Sequence, residues 1–468
     1  MKLAHYTFPV ALALTGIVVL ASGCGEEPNS PDQASPSAAA ANAPASTDRY
    51  IVLFKQGKSG AAMASSAVSA ASAAMAQLGG KLERSQPDIG VMQVRMTAAA
   101  AAQLRQRADV EGVAKDRIVQ WLPPENVAAE TQRFTGQGNP HKAQFLPFQW
   151  NLRRIQADKA WDLSNQGKGV LVCILDTGVD PREIDLQGKL NLDISASFVA
   201  TERADRDFAG HGTSMASLVT GNSIGMASVA PQASLCSVKV LNKTGGGTFG
   251  DVAAGMQYVG TAGIIDGLKR VQVANMSFGA LLPAGDPDVK VLIKALQRAV
   301  DFSTNHGVLF VAAAGNNGAN LNDPSIISIP AQLNHVVSVG ATGPIDQMNF
   351  DHIAHYSNFG KRGVDVFAPG GEDGFPKNVQ NDLILAVCSR SITLFDCSDG
   401  LSYVVEDGTS PAAAHVSGEA AVIEAALPGN QTPEELATCI EQSADPLANP
   451  LKTSFGRINV KSALKCPA

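Results

Sequence analysis

Three short peptides, far apart in the 468-residue chain, carry side chains that could cooperate in nucleophilic catalysis. They contain Asp176 before Thr-Gly, His211 between two glycines, and Ser410 between a threonine and a proline. A serine hydroxyl is a poor nucleophile at neutral pH, so it needs an imidazole to accept its proton and a carboxylate to orient that imidazole. The three residue types therefore predict a nucleophile, its base and the acid that orients the base.

Two other hydrolase mechanisms use parts of these peptides, and neither fits. In aspartic proteases an Asp-Thr-Gly aspartate shares one proton with a second aspartate, but the motif is not repeated at the Asp-Gly pairs that begin at Asp373, Asp399 and Asp407. The peptide around Ser410, Gly-Thr-Ser-Pro-Ala, lacks the second glycine of the Gly-x-Ser-x-Gly elbow of α/β-hydrolases. Neither chemistry is therefore predicted.

A fourth segment indicates the family. The apolar run 310–314 ends in Gly-Asn-Asn-Gly, so Asn316 follows a strand-like segment, and the catalytic residues occur in the order Asp, His, Ser. Together these features resemble the subtilisin family of serine proteases, and the similarity extends from about Gln144 to Leu464. Further matching peptides are 221–225, 229–231, 237–241, 275–279, 336–341 and 356–360.

The resemblance implies an endopeptidase that hydrolyses protein or peptide substrates through an acyl-enzyme and needs no cofactor for catalysis. Asp176 would orient His211, His211 would act as base and then acid, and Ser410 would be the nucleophile. Asn316 would donate its side-chain amide to the oxyanion, a donor whose loss in a subtilisin costs about 2.7 to 4 kcal/mol of transition-state stabilisation.

The resemblance also implies where substrate binds. An extended peptide would add as a strand between two edges of the protein. The residues that match these edges are Gly246 and Gly247 on one side, and Ser277, Phe278 and Gly279 on the other.

A structural calcium site is a third implication. Its ligands would be oxygen atoms, which suit Ca²⁺, from Asp185, the side chain of Asn222, and the carbonyls of Ile224 and Met226, with Gln144 as a fifth. An ordinary loop with a solvated carboxylate fits the same residues, because the sequence has no dense carboxylate cluster there.

A catalytically silent, subtilisin-like binding scaffold is the alternative function. Its only hint is Pro411, where most subtilisins have methionine. Proline is tolerated at a first helical position because its missing N–H would be unpaired there, and all four catalytic positions carry the expected residue types. The active enzyme is therefore the favoured prediction.

The N-terminus is typical of an exported bacterial protein. An apolar run from about Phe8 to Leu20 is too short and too early for an ordinary spanning helix and precedes small residues, as in a signal peptide. Cys24 resembles the lipidated cysteine of bacterial lipoproteins, so residues 1–24 predict a signal and a lipid anchor in the outer membrane or at the cell surface. Cleavage after a small residue, giving a secreted enzyme, is the alternative.

Composition supports export and excludes some partners. Residues 25–47 are rich in Pro, Ala, Ser and Asn, which predicts a disordered tether. The formal net charge of -7 gives no reason to expect a nucleic acid or an anionic membrane surface as a partner.

Six cysteines remain if Cys24 is acylated, an even number that permits disulfides outside the cytoplasm. Six cysteines allow about 15 connectivities. The pairs closest in sequence are favoured, namely Cys388 with Cys397 and Cys439 with Cys466. Cys173 and Cys236 lie in apolar, strand-like runs and fit buried reduced thiols at least as well as a third bridge.

Residues 48–122 show a different pattern, in the order β-α-β-β-α-β, which predicts a ferredoxin-like unit. Strands are expected at 50–54, 81–86, 91–96 and 117–121, with helices at 61–78 and 97–107, the second capped by Thr97. The position of the unit resembles the propeptide of subtilisins, which aids folding and blocks the cleft until it is removed. An independent domain without an inhibitory role is the alternative.

The remaining boundaries follow from this assignment. Residues 123–143 read as an exposed processing linker, and cleavage is expected between Leu122 and Phe148, with Ala143–Gln144 as one candidate bond. Residues 144–468 alternate buried apolar runs with helical stretches, which predicts a doubly wound α/β domain with a mostly parallel sheet. In such a fold the reactive residues belong at the carboxyl ends of strands.

Overall fold

The computed structural model describes residues 46–56, 62–122, 128–131, 138–262, 270–374, 380–392, 397, 402–427, 431–448 and 454–466. Residues 47–468 form one compact unit. The predicted signal peptide, Cys24 and nearly all of the predicted tether lie outside the described residues. Within those residues, no helix combines the length and apolar character that crossing a bilayer requires.

The N-terminal domain is a four-stranded antiparallel sheet with two helices, in the strand order β2-β3-β1-β4. Thr97 caps the second helix by accepting a hydrogen bond from the Ala100 N–H. The elements are β1 (Asp48–Phe54), α1 (Ser65–Gln77), β2 (Lys81–Gln86), β3 (Val91–Met96), α2 (Ala98–Leu104) and β4 (Val110–Lys115).

The predicted last strand of this domain was wrong. Val110–Lys115 closes the sheet by pairing with Asp48–Phe54. The expected strand at 117–121 contains a short strand, β5 (Ile118–Gln120), but this strand leaves the domain and pairs with β10 (Gly246–Thr248) of the larger domain. A strand pattern predicts extended backbone, but it does not identify the edge with which that backbone pairs.

Side-chain alternation gives the N-terminal sheet two apolar faces. In β1, Tyr50, Val52 and Phe54 pack with α1 and α2 in one buried cluster. Ile51 and Leu53 point the other way and belong to a core shared with the larger domain. The strand is therefore buried on both sides, and its second side is covered by another domain.

The larger domain is built on an eight-stranded sheet in which every pairing is parallel, in the order β19-β16-β15-β13-β11-β7-β9-β8. The doubly wound, mostly parallel fold is thus confirmed. The strands are β7 (Leu171–Asp176), β8 (Ala196–Ser197), β9 (Ser234–Lys239), β11 (Val273–Met276), β13 (Leu309–Ala313), β15 (Val336–Thr342), β16 (Val366–Pro369) and β19 (Gly456–Arg457).

Helices cover both faces of this sheet. One face packs against α5 (His211–Val219) and α8 (Thr409–Ala426), and the other against α6 (Phe249–Ala262) and α7 (Pro287–Asn305). Burial on both faces explains why β7 reads as an unbroken apolar run. The shorter helices are α3 (Trp150–Arg154), α4 (Ala157–Ala160), α9 (Pro433–Ser443) and α10 (Val460–Ala463).

Two small antiparallel sheets border the active-site end. One pairs β12 (Ala280–Pro283) with β14 (Ile326–Ile329), and the other has the order β17 (Ile384–Val387), β18 (Ser402–Glu406), β6 (Ala128–Thr131). Part of the predicted exposed linker is therefore a strand. Single 3₁₀ turns occur at Pro87–Ile89, Pro140–Lys142, Leu146–Phe148 and Gln380–Asp382.

Three disulfides join the six cysteines of the larger domain. The predicted pairs Cys388–Cys397 and Cys439–Cys466 are confirmed. Cys173 and Cys236 also form a bridge, so their interpretation as reduced thiols was wrong. They are directly opposite each other on the neighbouring strands β7 and β9, a register that the sequence does not reveal.

Candidate active site

The strand β7 and the helix α5 bring the predicted acid and base together. Asp176 is the last residue of β7, and His211 is the first residue of α5. His211 Nδ1 lies 2.8 and 2.9 Å from the two carboxylate oxygens of Asp176, and both side chains are buried. Nδ1 therefore donates to the carboxylate, which assigns the acceptor nitrogen to Nε2 in the neutral ring.

Glycine allows the close approach of these two elements. A Cβ atom on Gly212 would lie 2.1 Å from the Gly178 carbonyl oxygen and 3.0 Å from the Asp176 Cβ. The start of α5 therefore packs directly on the turn after β7. This is the physical reason for the Gly-His-Gly peptide.

A second buried aspartate, Asp207, organises the same corner and was not predicted from the sequence. Its carboxylate accepts hydrogen bonds from the Thr177 hydroxyl (2.8 Å), the Gly210 N–H (2.8 Å), and the N–H and hydroxyl of Thr213. Burial raises the pKa of Asp207, and the hydrogen bonds from Thr213 oppose the shift. Asp207 thus fixes the first turn of the helix that carries His211. In the sequence, the signal for this role was an acidic residue just before the first turn of the helix.

The predicted nucleophile lies within the first turn of α8, not before it. The helix begins at Thr409, so Pro411 is its third residue, whereas the sequence predicted it to be the first. Proline is still tolerated, because the first four N–H groups of a helix lack partners within it. Ser410 is 7% exposed; its Oγ donates to the Ser277 carbonyl at 2.7 Å, and the Ser277 hydroxyl donates to the Ser410 carbonyl at 2.9 Å.

A buried histidine, His415, supports this turn and was also missed. Its Nδ1 lies 2.7 Å from the Pro411 carbonyl, and its Nε2 lies 2.7 Å from the side-chain amide of Asn151. Burial lowers the pKa of His415 to about 4, so the ring is neutral at physiological pH. A neutral ring donates from one nitrogen and accepts at the other, which matches its two partners.

Asn316 follows β13 at the carboxyl edge of the sheet. Its Oδ1 accepts hydrogen bonds from the N–H (2.9 Å) and the hydroxyl (2.7 Å) of Thr409. These bonds fix the amide orientation, so that Nδ2 is the group directed away from Thr409. A Cβ atom on Gly408, where φ is +148°, would lie 3.2 Å from Nδ2. Glycine at this position keeps the donor accessible.

The predicted substrate edges hold a segment of the chain itself. Residues Ile118–Gln120 pair with Gly246–Thr248 as an antiparallel strand. The next residue, Trp121, donates its N–H to the Gly245 carbonyl (3.2 Å) and accepts from the Gly279 N–H (3.3 Å). Its ring lies 5.6 Å from the ring of Phe278. Residues 118–121 thus occupy the position of an added strand.

A pocket of about 350 Å³ opens beside this strand. Its walls include both Ser410 and Asn316, so it adjoins the candidate catalytic atoms. No charged side chain lines it among the described residues. The other lining residues include Leu122, Phe278, Ala313 and Ser328.

The residues expected to bind calcium are close together, but they have other partners. The buried carboxylate of Asp185 accepts hydrogen bonds from the N–H groups of Ile224 (2.6 Å), Gly225 (3.1 Å) and Met226 (3.0 Å), and from the Tyr403 hydroxyl (2.6 Å). A carboxylate has about four lone-pair positions. Three of these donors are on Oδ2 and only the Ile224 N–H is on Oδ1, so Oδ1 keeps acceptor capacity.

Two of the other expected ligands, Asn222 and Ile224, also make hydrogen bonds. The side-chain N–H₂ of Asn222 donates to the carbonyls of Ile184 (3.0 Å) and Gln187 (2.9 Å), and the Ile224 carbonyl accepts the Gln144 N–H (3.3 Å). Calcium requires six to eight oxygen ligands. These hydrogen bonds anchor the loop that carries Asn222, Ile224 and Met226, and a structural calcium at these residues stays a prediction.

Comparison with known proteins identifies the larger domain. Residues 167–457 match the model of the subtilase family, Peptidase S8. The chain is 33% identical to subtilisin BL of Lederbergia lenta over 325 residues, which are 69% of this chain and all of that protein. It is 30% identical to subtilisin E of Bacillus subtilis (strain 168) over 430 residues, 91% of this chain and 93% of that protein.

Solved structures share the fold. The epidermin leader peptide processing serine protease of Staphylococcus aureus superposes with a TM-score of 0.72 at 20% identity, covering 90% of this chain and all of that chain. A lanthipeptide protease superposes with a TM-score of 0.58 at 27% identity, covering 68% and 95%. With the matched family model and relatives, the chain belongs to the subtilase family and is a serine-type endopeptidase.

Proposed function

We propose that Asp176, His211 and Ser410 form the catalytic triad of this endopeptidase. The supporting observation is the pair of short contacts between His211 Nδ1 and the Asp176 carboxylate, which orients Nε2 to act as a base. For attack, the Ser410 hydroxyl exchanges the Ser277 carbonyl for Nε2 as its acceptor. His211 takes the proton as the acyl-enzyme forms, gives it to the leaving amine, and then activates water.

Two donors stabilise the oxyanion in this proposal. One is Nδ2 of Asn316, whose orientation is set by the bonds between Oδ1 and Thr409. The other is the backbone N–H of Ser410, in the first turn of α8, where the helix dipole also favours negative charge. The substrate would be an extended peptide on Gly246, Gly247 and Gly279, and the uncharged pocket would accept a neutral side chain.

We also propose that residues 48–122 are an inhibitory propeptide of a self-processing zymogen. Residues 118–121 lie where a substrate strand would bind, and Leu122 lines the pocket beside Ser410. After this segment, residues 128–131 pair with β18, the strand that leads to the Ser410 turn. Leu122 thus lies beside the nucleophile, and Ala128 begins a strand that pairs just before its turn, which favours a first cut between Leu122 and Ala128 over the candidate bond at Ala143–Gln144.

Export and anchoring rest on the sequence alone. We propose that the chain is exported from a bacterial cell and held at a membrane by a lipid on Cys24, with release as a secreted enzyme as the alternative. Changing Cys24 to Ser should move the enzyme from the membrane fraction to the soluble fraction without changing its specific activity. A wild-type enzyme that is already soluble would contradict the anchor.

Labelling with a fluorophosphonate tests the catalytic proposal directly. The probe should modify Ser410 in the mature enzyme, as located by peptide mass spectrometry, because only an activated serine reacts with it. A silent binding scaffold would remain unlabelled. Labelling of another serine in a folded, active protein would reject the assignment of the nucleophile.

A further inference from the structure

A second histidine–carboxylate group lies outside the triad, on the segments 352–355 and 372–373. His355 Nδ1 is 2.5 Å from Oε1 of Glu372 and 3.7 Å from Oδ1 of Asp373. Ligand-type atoms of these three residues all lie within 4.8 Å of one another. His352 adds a further nitrogen, because its Nε2 is 3.5 Å from Oε2 of Glu372.

The spacing of these atoms is close to that of a small coordination sphere. Zinc binds imidazole nitrogen and carboxylate oxygen at about 2.0 to 2.1 Å, so neighbouring ligand atoms in a tetrahedron are about 3.3 Å apart. The separations of 3.5 Å for His352–Glu372 and 3.7 Å for His355–Asp373 are near this value. His355, Glu372 and Asp373 thus form the compact part of the group, and His352 approaches it from the Glu372 side.

Two further observations favour a cation at this group. Oδ1 of Asp373 is buried and has no hydrogen-bond donor among the described residues. The described ion pairs of Glu372 and Asp373 are with histidines only, so no lysine or arginine in that part of the chain balances the two carboxylates. An orphaned buried oxygen beside imidazoles is a natural position for a metal ligand.

Backbone groups already orient the central carboxylate. Glu372 is buried, and its two oxygens accept the N–H groups of His355 (2.9 Å) and Gly374 (3.0 Å). Such outer contacts hold metal ligands in place in known sites. The Glu372 side chain is therefore preorganised, whereas the partly exposed histidines leave an entry path from solvent.

We propose that His352, His355, Glu372 and Asp373 bind one divalent transition-metal ion of the zinc type. Imidazole ligands favour zinc over calcium and magnesium, which prefer oxygen alone. The ion would tie 352–355 to 372–373. Between these segments, the Tyr356 hydroxyl donates to the carbonyls of Gly370 and Gly371 and accepts from the Gly408 N–H, so the ion would stiffen the support of the turn before Ser410.

Equilibrium dialysis with zinc chloride tests this site in the full-length chain carrying Ser410→Ala, which prevents self-digestion. One saturable zinc per chain is expected. His355→Ala and Asp373→Asn should each weaken binding at least about tenfold. His335→Asn is the matched control, because His335 forms a similar exposed pair with Glu434 but has no second carboxylate, and asparagine accepts its φ of +63°.

Cobalt(II) provides a readout independent of affinity, because four-coordinate N/O ligation gives intense visible absorption that the Asp373→Asn variant should lose. Asp373→Asn preserves side-chain size, so a normal circular dichroism spectrum separates lost ligation from lost folding. The proposal is overturned if no saturable zinc binds, if binding is unchanged in both variants, or if calcium binds in preference to zinc. In the first two cases the group is only an imidazole–carboxylate ion pair, and in the third it is an oxygen-ligand cation site of another kind.

Discussion

Both large sheets of this molecule are buried on two faces, but they obtain their covers differently. The central sheet is covered by helices α5, α6, α7 and α8 of its own domain. The N-terminal sheet has its own helices on one face only, and on the other it uses α6 and α7 of the peptidase domain. The peptidase domain therefore covers both faces of its own sheet, and the N-terminal domain covers only one face of its sheet.

Polar contacts between the N-terminal domain and helices α6 and α7 show how specific this interface is. The carboxylate of Asp116 accepts the Gly250 N–H at the start of α6 (3.2 Å), and Arg84 pairs with Asp251 (2.9 Å). On α7, Arg298 donates to the carbonyls of Phe54 (2.8 Å) and Ile89 (3.1 Å) and forms an ion pair with Glu111.

The difference has an energetic consequence. Without the peptidase domain, Ile51, Leu53 and Val91 would be exposed, and each buried side chain of this kind contributes about 1.5 to 3 kcal/mol. A domain of this size is already marginal. Folding of the N-terminal domain should therefore be coupled to binding, which is consistent with the propeptide role proposed for it.

The largest expected effect comes from removing the nucleophile. The Ser410→Ala chain should remain uncut and should keep its N-terminal domain bound, because the same serine would cut its own junction. Peptidase activity should fall about 10⁶-fold, the loss seen when the nucleophile is removed from a subtilisin. The measurement is the mass of the purified protein from a host without other extracellular proteases.

Adding a trace of active enzyme supplies the control. If the variant is folded, the junction should then be cut in trans between residues 122 and 128. Unaided maturation of Ser410→Ala to wild-type length would contradict self-processing.

The second effect concerns the peptidase domain alone. Asn316→Ala should lower kcat about 10²- to 10³-fold with a smaller change in KM, because the lost donor acts on charge that develops in the transition state. Steady-state kinetics of the mature variant on a peptide substrate measure this. An equal rise in KM with unchanged kcat would instead indicate a binding role.

The sequence predicted the catalytic domain better than the N-terminal domain, for a physical reason. Asp176 and Asn316 each follow an apolar run, and buried parallel strands have a strong local signal. The strand Val110–Lys115 has only a weak local signal, since Glu111, Gly112 and Lys115 interrupt its apolar residues.

Contacts between distant segments account for the other failures. Cys173 meets Cys236 through strand register, although the two lie 63 positions apart in the sequence. Asp207 and His415 act through buried hydrogen bonds whose partners are fixed only in the folded chain. A motif indicates which residue types are present, but not which partners occupy their lone pairs.

The third effect tests the interface between the N-terminal domain and helices α6 and α7. Arg298→Ala should weaken inhibition of the mature enzyme by the N-terminal domain about 30-fold or more, because Arg298 donates partly buried hydrogen bonds to two carbonyls of that domain, and a hydrogen bond from a charged group contributes about 1.5 to 3 kcal/mol. Activity of the mature enzyme without inhibitor should be unchanged. The measurement is the inhibition constant of the added domain for wild type and variant.

Arg117→Ala is the matched control on the other side of the interface. Arg117 is 53% exposed and lies 3.8 Å from Asp286, so its ion pair should contribute little. If the two variants weaken inhibition equally, the buried contacts of Arg298 are not what holds the domain.

The smallest effect is a change in stability that should not depend on the N-terminal domain at all. Glu419 lies on α8 in the core of the peptidase domain, and its burial raises its pKa to about 8, with the charge of Arg457 opposing the shift. Its ordinary pKa is 4.5. Between these values the folded chain holds a proton that the unfolded chain has lost.

Stability of the wild type therefore falls as the pH rises through this window, by about 1.4 kcal/mol per pH unit from this group. Glutamine does not titrate, so the advantage of Glu419→Gln over wild type should grow by about 1 to 3 kcal/mol between pH 5 and pH 7. Urea unfolding at both pH values, in the Ser410→Ala background, measures the difference.

The gain in stability should be the same in the precursor and in the chain that has been cut in trans and freed of its N-terminal domain. The reason is that the helices that cover the central sheet all belong to the peptidase domain. A gain that appears only in the precursor would mean that the core of the peptidase domain also depends on the N-terminal domain, and the contrast between the two sheets would fail.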